Sequence, residues 1–140
     1  MLSPKETDDL RAFAGTMIPA STRYGVPGAD DETIFADVVS NIGRDLDDVR
    51  AALKKLAGLA DLPSERRLER ANAFRADGGP LLATIARVIL VCYYRDDRVM
   101  NSLGLEPRPP FPKGHVVEQG DWSLLDPVKK RAPFWRKVPR

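Results

Sequence analysis

The residues with the clearest potential for chemistry lie in one short segment, Tyr93-Tyr94-Arg95-Asp96-Asp97-Arg98. Paired carboxylates can bind a divalent cation or act together as acid and base. Neighbouring residues on a helix, however, point about 100° apart, so Asp96 and Asp97 do not converge on one ligand. We therefore expect these carboxylates to cap a helix and to be solvated.

Two further residues have reactive side chains, and each is the only one of its type in the chain. Cys92 belongs to no CxxC or CxxCH pattern of a zinc, iron–sulfur or haem site, which favours a small apolar residue on a buried helix face. His115 has no second histidine or nucleophile placed beside it and is typical of a surface or interface residue. We expect no catalytic residue, metal ligand or cofactor-binding residue in this chain.

Apolar residues at helical spacing predict the elements that position these groups. Ser3, Pro4 and Glu6 form a capping box at the start of a first helix that ends before Pro19. Similar stripes predict a second helix from about residue 30, with Val39 on its apolar face, a third from about residue 45 and a fourth from residue 63, with Leu68 facing the core. The fifth, residues 81–94, is apolar nearly all round and is predicted to be central and buried. The fold class is therefore all-α, a small bundle of about five helices in a helical domain spanning residues 1–104.

Residues 105–140 have a different composition, and we call them the C-terminal strap. They hold seven of the twelve prolines, and eight Lys/Arg against four Asp/Glu. Proline disfavours helix interiors and central strands, so an extended segment is predicted. The strap nevertheless carries large apolar residues that a disordered tail normally lacks. We expect it to lie on the surface of a partner, with these strap residues in contact: Phe111, His115, Trp122, Leu124, Leu125, Phe134, Trp135 and Arg136.

Two groups of segments resemble a known family. The first consists of FAGTMIPAS, VPGADD and IFADVV, between residues 13 and 39, and is similar to the opening of the gluconate 2-dehydrogenase subunit 3 family. The second, CYYRDDRVMNSLGLEPRPPFPKG with GDWSLLDPV, lies between residues 92 and 128. It resembles small accessory subunits of flavin-dependent dehydrogenases of the glucose–methanol–choline class.

The resemblance implies a non-catalytic small subunit that binds and stabilises a large FAD-dependent alcohol or sugar dehydrogenase subunit. It implies FAD in that partner and no cofactor in this chain. Tyr93, Tyr94 and Arg95, in the second group of segments, join the strap residues as predicted contacts with the partner. No export signal is evident, so we expect a cytoplasmic location, or a periplasmic one if the partner carries this chain across the membrane.

Two other functions are compatible with the residues. The basic end of the strap is also typical of a stand-alone module that binds nucleic acid or an acidic protein surface, through Lys129, Lys130, Arg131, Trp135, Arg136 and Lys137. A small enzyme would use Asp96, Asp97 or His115. Net charge is only +2, and the basic end lacks the periodicity of a membrane helix, so we expect neither nucleic acid nor a membrane to be the partner.

Overall fold

A computed structural model of the chain describes residues 1–114 and 116–132. It divides the chain into two compact units, a helical unit (Met1–Pro107) and a C-terminal unit (Arg108–Arg140). The predicted all-α class is confirmed: the described residues form helices and no strand, apart from an isolated antiparallel bridge between Ser21 and Val26.

Six helices form the helical unit. They are α1 (Pro4–Met17), α2 (Glu32–Ser40), α3 (Leu46–Lys55), α4 (Ser64–Asp77), α5 (Gly79–Tyr94) and α6 (Asp97–Ser102), with a 3-10 turn at Gly43–Asp45 before α3. The predicted capping box is present: the Ser3 hydroxyl accepts from the Glu6 amide, and the Glu6 carboxylate accepts from the Ser3 amide. Helix α5 packs against α2, α3 and α6, while α1 packs against α3 and α4.

The core is contributed by all six helices and by the loops before α2, α3 and α4. Its largest fully buried side chains include those of Leu10, Phe13, Ile34, Leu56 and Ile89. Phe13 and Phe74 meet edge to face with ring centroids 5.6 Å apart, which joins α1 to α4. Aromatic pairs in this geometry add stability beyond the burial of their area.

Three predictions about burial are wrong. Helix α5 is not buried all round, because its neighbouring helices cover one side and leave Leu90, Val91 and Tyr94 exposed. On α4, Ala71 and Phe74 face the core, but Leu68 points outward and is 47% exposed. Val39 on α2 is also at the surface. In each case the apolar stripe is wider than the surface that the neighbouring helices cover.

The C-terminal unit is partly helical, although its prolines predicted an extended segment. A 3-10 helix, Trp122–Leu125, leads into α7 (Asp126–Lys129). The Asp121 carboxylate accepts from the Ser123 amide at 3.0 Å and caps the first turn. Pro127 lies in the first turn of α7, where its missing amide donor costs no hydrogen bond. A well-placed proline therefore starts this helix instead of preventing it.

Candidate functional site

The two groups of resembling segments meet in space, although 58 to 67 positions of the chain separate the residues that link them. The Tyr93 hydroxyl donates to the Pro27 carbonyl oxygen at 3.2 Å. The Arg98 guanidinium pairs with the Asp31 carboxylate at 2.7 Å. A third link joins Arg95 to Asp37. The loop before α2, and α2 itself, are thereby fixed to the end of α5 and the start of α6.

Arg98 is the centre of the most extensive of these links. Its guanidinium contacts Asp31, which caps α2, and Asp96, which caps α6 through the Arg98 amide. Hydrogen bonds from Arg98 hold the pKa values of both carboxyls below their ordinary range. The prediction that Asp96 caps a helix is confirmed, and Asp97 is the first residue of α6. Among the described residues, no three His, Cys, Asp or Glu side chains come together as a metal site.

Arg95 and Asp37 form a two-pronged ion pair. The Arg95 Nε donates to Asp37 Oδ2 at 2.6 Å, and a second guanidinium nitrogen donates to Oδ1. Cys92 lies beside this pair and is buried, as predicted. Burial, together with the Asp37 carboxylate, raises the pKa of the Cys92 thiol to about 11. Because the thiolate is the nucleophilic form, a raised pKa makes the Cys92 thiol less reactive at neutral pH than a free thiol.

An apolar groove of about 230 Å³ lies next to these links. Its lining comes from the end of α1, the loop after it, the end of α5 and α6: Ile18, Tyr24, Val26, Tyr93, Tyr94, Val99, Ser102 and Leu103. Three of the lining residues are exposed to solvent: Tyr24 at 67%, Tyr94 at 52% and Leu103 at 56%. Val91, one turn before Tyr94, is also exposed. We call Tyr24, Val91, Tyr94 and Leu103 the tyrosine surface.

Tyr93 and Tyr94 have different roles, although the sequence predicted that both contact a partner. Tyr93 is 4% exposed and belongs to the core, and burial raises the pKa of its hydroxyl. Its ring supports that of Tyr94 edge to face, with centroids 5.2 Å apart. Because α5 turns the Tyr93 side chain inward, its placement does not favour the direct contact with a partner that the sequence predicted. Tyr94 and Arg95 are at the surface.

Four of the predicted strap contacts lie in the described part of the C-terminal unit, and all four are exposed in this chain. They are Phe111 (84%), Trp122 (65%), Leu124 and Leu125. Trp122 donates its indole N–H to the Gln119 side chain at 3.4 Å. His115, Phe134, Trp135 and Arg136 lie outside the described residues. Contact of these residues with a partner stays a prediction.

Sequence reasoning missed Tyr24, Val91 and Leu103 as candidate contacts. Tyr24 stands in a loop of turn-forming residues, where a large aromatic side chain has no helical stripe to join, and this was a usable signal. Val91 and Leu103 gave no such signal, since each fits the apolar pattern of its helix or turn. Their exposure depends on which side of α5 and α6 the other helices cover.

No protein-family model, no curated protein and no solved structure matches this chain. The functional interpretation therefore depends on the residues themselves and on the resemblance of their segments.

Proposed function

We propose that this chain is a non-catalytic small subunit that binds and stabilises a large FAD-dependent dehydrogenase subunit acting on an alcohol or sugar. The observation that carries the proposal is the exposure of large apolar residues on the tyrosine surface and in the described part of the C-terminal unit. The resemblance of the segments described above supplies the class of partner. FAD belongs to the large subunit in this proposal, and this chain contributes binding surface.

The tyrosine surface supports a role in binding because it is both apolar and well supported. Tyr and Arg are the residue types most enriched among those that dominate binding energy at interfaces. Arg23 lies over the Tyr24 ring at 5.5 Å, within the range of a cation–π contact. The links from Arg98 to Asp31 and from Tyr93 to Pro27 fix the loop and helices that carry the tyrosines. A surface held in this way loses little conformational entropy on binding.

The C-terminal unit supports the same role through its composition and exposure. Trp122, Leu124, Leu125 and Val128 are exposed along a helical segment of only eight residues. Removing these side chains from water would contribute about 25 cal/mol for each Å² of apolar area buried, before the entropic costs of association are subtracted. We propose that the strap packs on the large subunit through this unit.

Stabilisation of the partner follows from mass action. A subunit that binds only the folded partner lowers the fraction of unfolded partner in proportion to its free concentration over Kd. The large subunit is then expected to be less soluble and less well loaded with FAD when it is produced without this chain.

The proposal is tested by producing the tagged chain together with its large subunit and purifying through the tag. We expect a stable heteromer with a second polypeptide of dehydrogenase size and a flavin absorbance band. Leu68→Ala, on the outer face of α4, is the matched control and should leave the complex intact. A large subunit that is fully soluble, FAD-loaded and active without this chain would contradict the proposal.

The alternative, a stand-alone basic module, is favoured by the exposed run Lys129-Lys130-Arg131 at the end of α7. Phosphate contacts release counterions, so such a module would bind oligonucleotides with a steep dependence on salt. Absence of any gel retardation of single- or double-stranded oligonucleotides at low salt would exclude it.

A further inference from the structure

A cavity of about 430 Å³ in the helical unit differs from the apolar groove beside Tyr94 in the chemistry of its lining. It lies between α1, the loop before α2, the loop before α4 and α4 itself. Most of its lining side chains are charged, and the rest are those of alanines. The charged residues are Asp8, Arg11, Asp30, Asp61 and Arg67. A cavity of this size holds a small molecule, and its placed polar groups decide which one. This lining therefore predicts a polar, charged ligand.

Backbone carbonyls, and not carboxylates, hold the two guanidiniums of the cavity. Arg11 Nε donates to the Asp30 carbonyl oxygen at 3.0 Å. Arg67 Nη2 donates to the carbonyl oxygens of Ala60 and Leu62, at 3.0 Å in each case. Among the described residues neither guanidinium has an ion pair, and the buried Arg67 Nε has no hydrogen-bond partner. Each guanidinium has five N–H donors, so both are fixed in position with donors left for a ligand.

The Asp30 carboxylate lies in space that two glycines leave open. A Cβ on Gly15, within α1, would lie 2.8 Å from this carboxylate, and a Cβ on Gly28 would also collide with it. Glycine inside a helix is less favourable than alanine, so the glycine at position 15 favours the carboxylate and not the helix. Within the described part of the chain, the carboxylates of Asp8 and Asp30 accept no hydrogen bond and have no ion pair. The cavity thus presents unpaired charges of both signs.

The balance of charge in the lining selects the class of ligand. Lys5 pairs with Asp61, so this ammonium and the two guanidiniums together offset the three carboxylates. A ligand with a single charge would attract one set of lining groups and repel the other. A zwitterion carries both an ammonium and a carboxylate, satisfies both sets and leaves the cavity neutral. Because alanines are the apolar part of the lining, the remainder of the ligand is small.

The wall of the cavity before α4 is held by contacts within the helical unit. The buried Asp9 carboxylate accepts from the Gly58 and Ala60 amides, and the Ala60 carbonyl accepts from Arg67. Both backbone polar groups of Ala60 are therefore bonded before a ligand binds. A wall fixed in this way loses little conformational entropy on binding.

We propose that this cavity binds a small α-amino acid. The ligand carboxylate accepts from Arg11 and Arg67, and the ligand ammonium donates to Asp8 and Asp30. Hydrogen bonds between charged groups are stronger than those between neutral ones, and four residues share them here. The proposal does not depend on the proposed function, since it concerns the helical unit alone.

Solution NMR of the isotope-labelled full chain, titrated with L-alanine, tests the proposal. We expect the largest amide shifts at Ala12, Asp30 and Asp61. Ethylammonium is L-alanine without its carboxylate, and propanoate is L-alanine without its ammonium. Each is expected to bind roughly tenfold or more weakly than L-alanine, because it leaves one set of lining charges unpaired.

Three variants remove the charges one at a time. Arg11→Gln, Asp8→Asn and Asp30→Asn should each raise the Kd for L-alanine roughly fivefold or more. The asparagine variants keep the side-chain shape and therefore test the cavity even if Arg11→Gln disturbs the loop before α2. Arg66→Gln, which removes an exposed pair with Glu69, is the matched control and should leave Kd unchanged. Circular dichroism checks that every variant is folded.

Three outcomes overturn the proposal. The first is that neither L-alanine nor L-serine shifts these amides at about 50 mM, a concentration that detects even weak binding. The second is that ethylammonium or propanoate binds as tightly as L-alanine. The third is that all three charge-removing variants titrate in the same way as the unaltered chain.

Discussion

The helical unit and the C-terminal unit use the same kinds of apolar residue in opposite ways. In the helical unit Phe13 and Phe74 are buried against each other, whereas in the C-terminal unit Phe111 and Trp122 are exposed. Helices of nine to sixteen residues place apolar side chains on a shared face every third or fourth position, and several such faces enclose a core. The eight helical residues at 122–129 offer too short a face to enclose anything. Hydrophobic content alone therefore does not make a core.

The hydrogen bonds of polar side chains also differ between the two units, in how far apart in the sequence the bonded residues lie. The buried Asp9 carboxylate accepts from the Gly58 and Ala60 amides at 2.9 and 2.8 Å, about 50 positions away in sequence. In the described part of the C-terminal unit, the side chains of Trp122 and Lys129 bond only to residues three positions away. Long-range bonds fix the tertiary structure of the helical unit, while local bonds only shape a turn.

The largest expected effect comes from removing a core aromatic ring. Phe13→Ala should lower the free energy of unfolding by about 3–5 kcal/mol, because it leaves a cavity and deletes the contact with Phe74. Phe111→Ala, its counterpart in the C-terminal unit, should change this free energy by less than about 0.5 kcal/mol. Urea denaturation followed by circular dichroism measures both. Equal effects of the two changes would show that the units are not distinguished by burial.

The next largest effect concerns the buried carboxylate. Asp9→Ala should cost about 2–4 kcal/mol, because the Gly58 and Ala60 amides lose a charged acceptor in a buried site. Asp8→Ala, at the exposed neighbouring position, is the control and should be nearly neutral. Thermal and urea denaturation measure the free energy of unfolding of both variants. A similarly small decrease in both would mean that water satisfies the Gly58 and Ala60 amides as well as the Asp9 carboxylate does.

Gly28 in the helical unit and Gly120 in the C-terminal unit differ in how much space surrounds their Cα atoms. A Cβ at Gly28 would approach the Asp30 carboxylate and lie 2.9 Å from the Ala20 nitrogen, whereas a Cβ at Gly120 would meet nothing within 4 Å. Gly28→Ala should therefore cost about 1–3 kcal/mol through overpacking. Gly120→Ala should be neutral or slightly stabilising. Unchanged stability of Gly28→Ala would show that the loop before α2 adjusts freely.

The smallest expected effect is the decrease in the free energy of unfolding at low pH. Ion pairs with arginine lower the pKa values of Asp31, Asp37 and Asp96 below the ordinary 3.8. The unfolded chain therefore binds protons more readily than the folded one, so their contribution is complete above about pH 5 and is lost as pH falls through the lowered pKa values.

Arg98→Ala should flatten this loss below about pH 4, since Asp31 and Asp96 then titrate closer to their ordinary range. Arg66→Ala, which removes only an exposed pair with Glu69, should leave the pH profile unchanged. Urea denaturation across this pH range compares the two variants. An identical acid dependence in Arg98→Ala and the unaltered chain would contradict the role given to Arg98.

Much of the helical unit was predictable because its signals are local. The capping box at Ser3, the acid at Asp31 and the glycine at position 78 mark where helices begin and end, and the structure agrees with them. The site was less predictable. The segment from Tyr93 to Arg98 drew attention from its residue types, but its partners Pro27, Asp31 and Asp37 lie far away in the sequence. Nothing in the chain order shows which distant carboxylate an arginine will meet.

The sequence by itself determined the all-α class, the starts of the helices and the concentration of proline, aromatic and basic residues after residue 104. These features depend on interactions within a few positions, which residue type and spacing specify directly. The tertiary structure alone decided that Tyr93 is buried while Tyr94 is exposed, and that Tyr24 and Leu103 line one groove with Tyr94. Burial is set by which faces neighbouring helices cover, and that is a property of the packed bundle and not of any single segment.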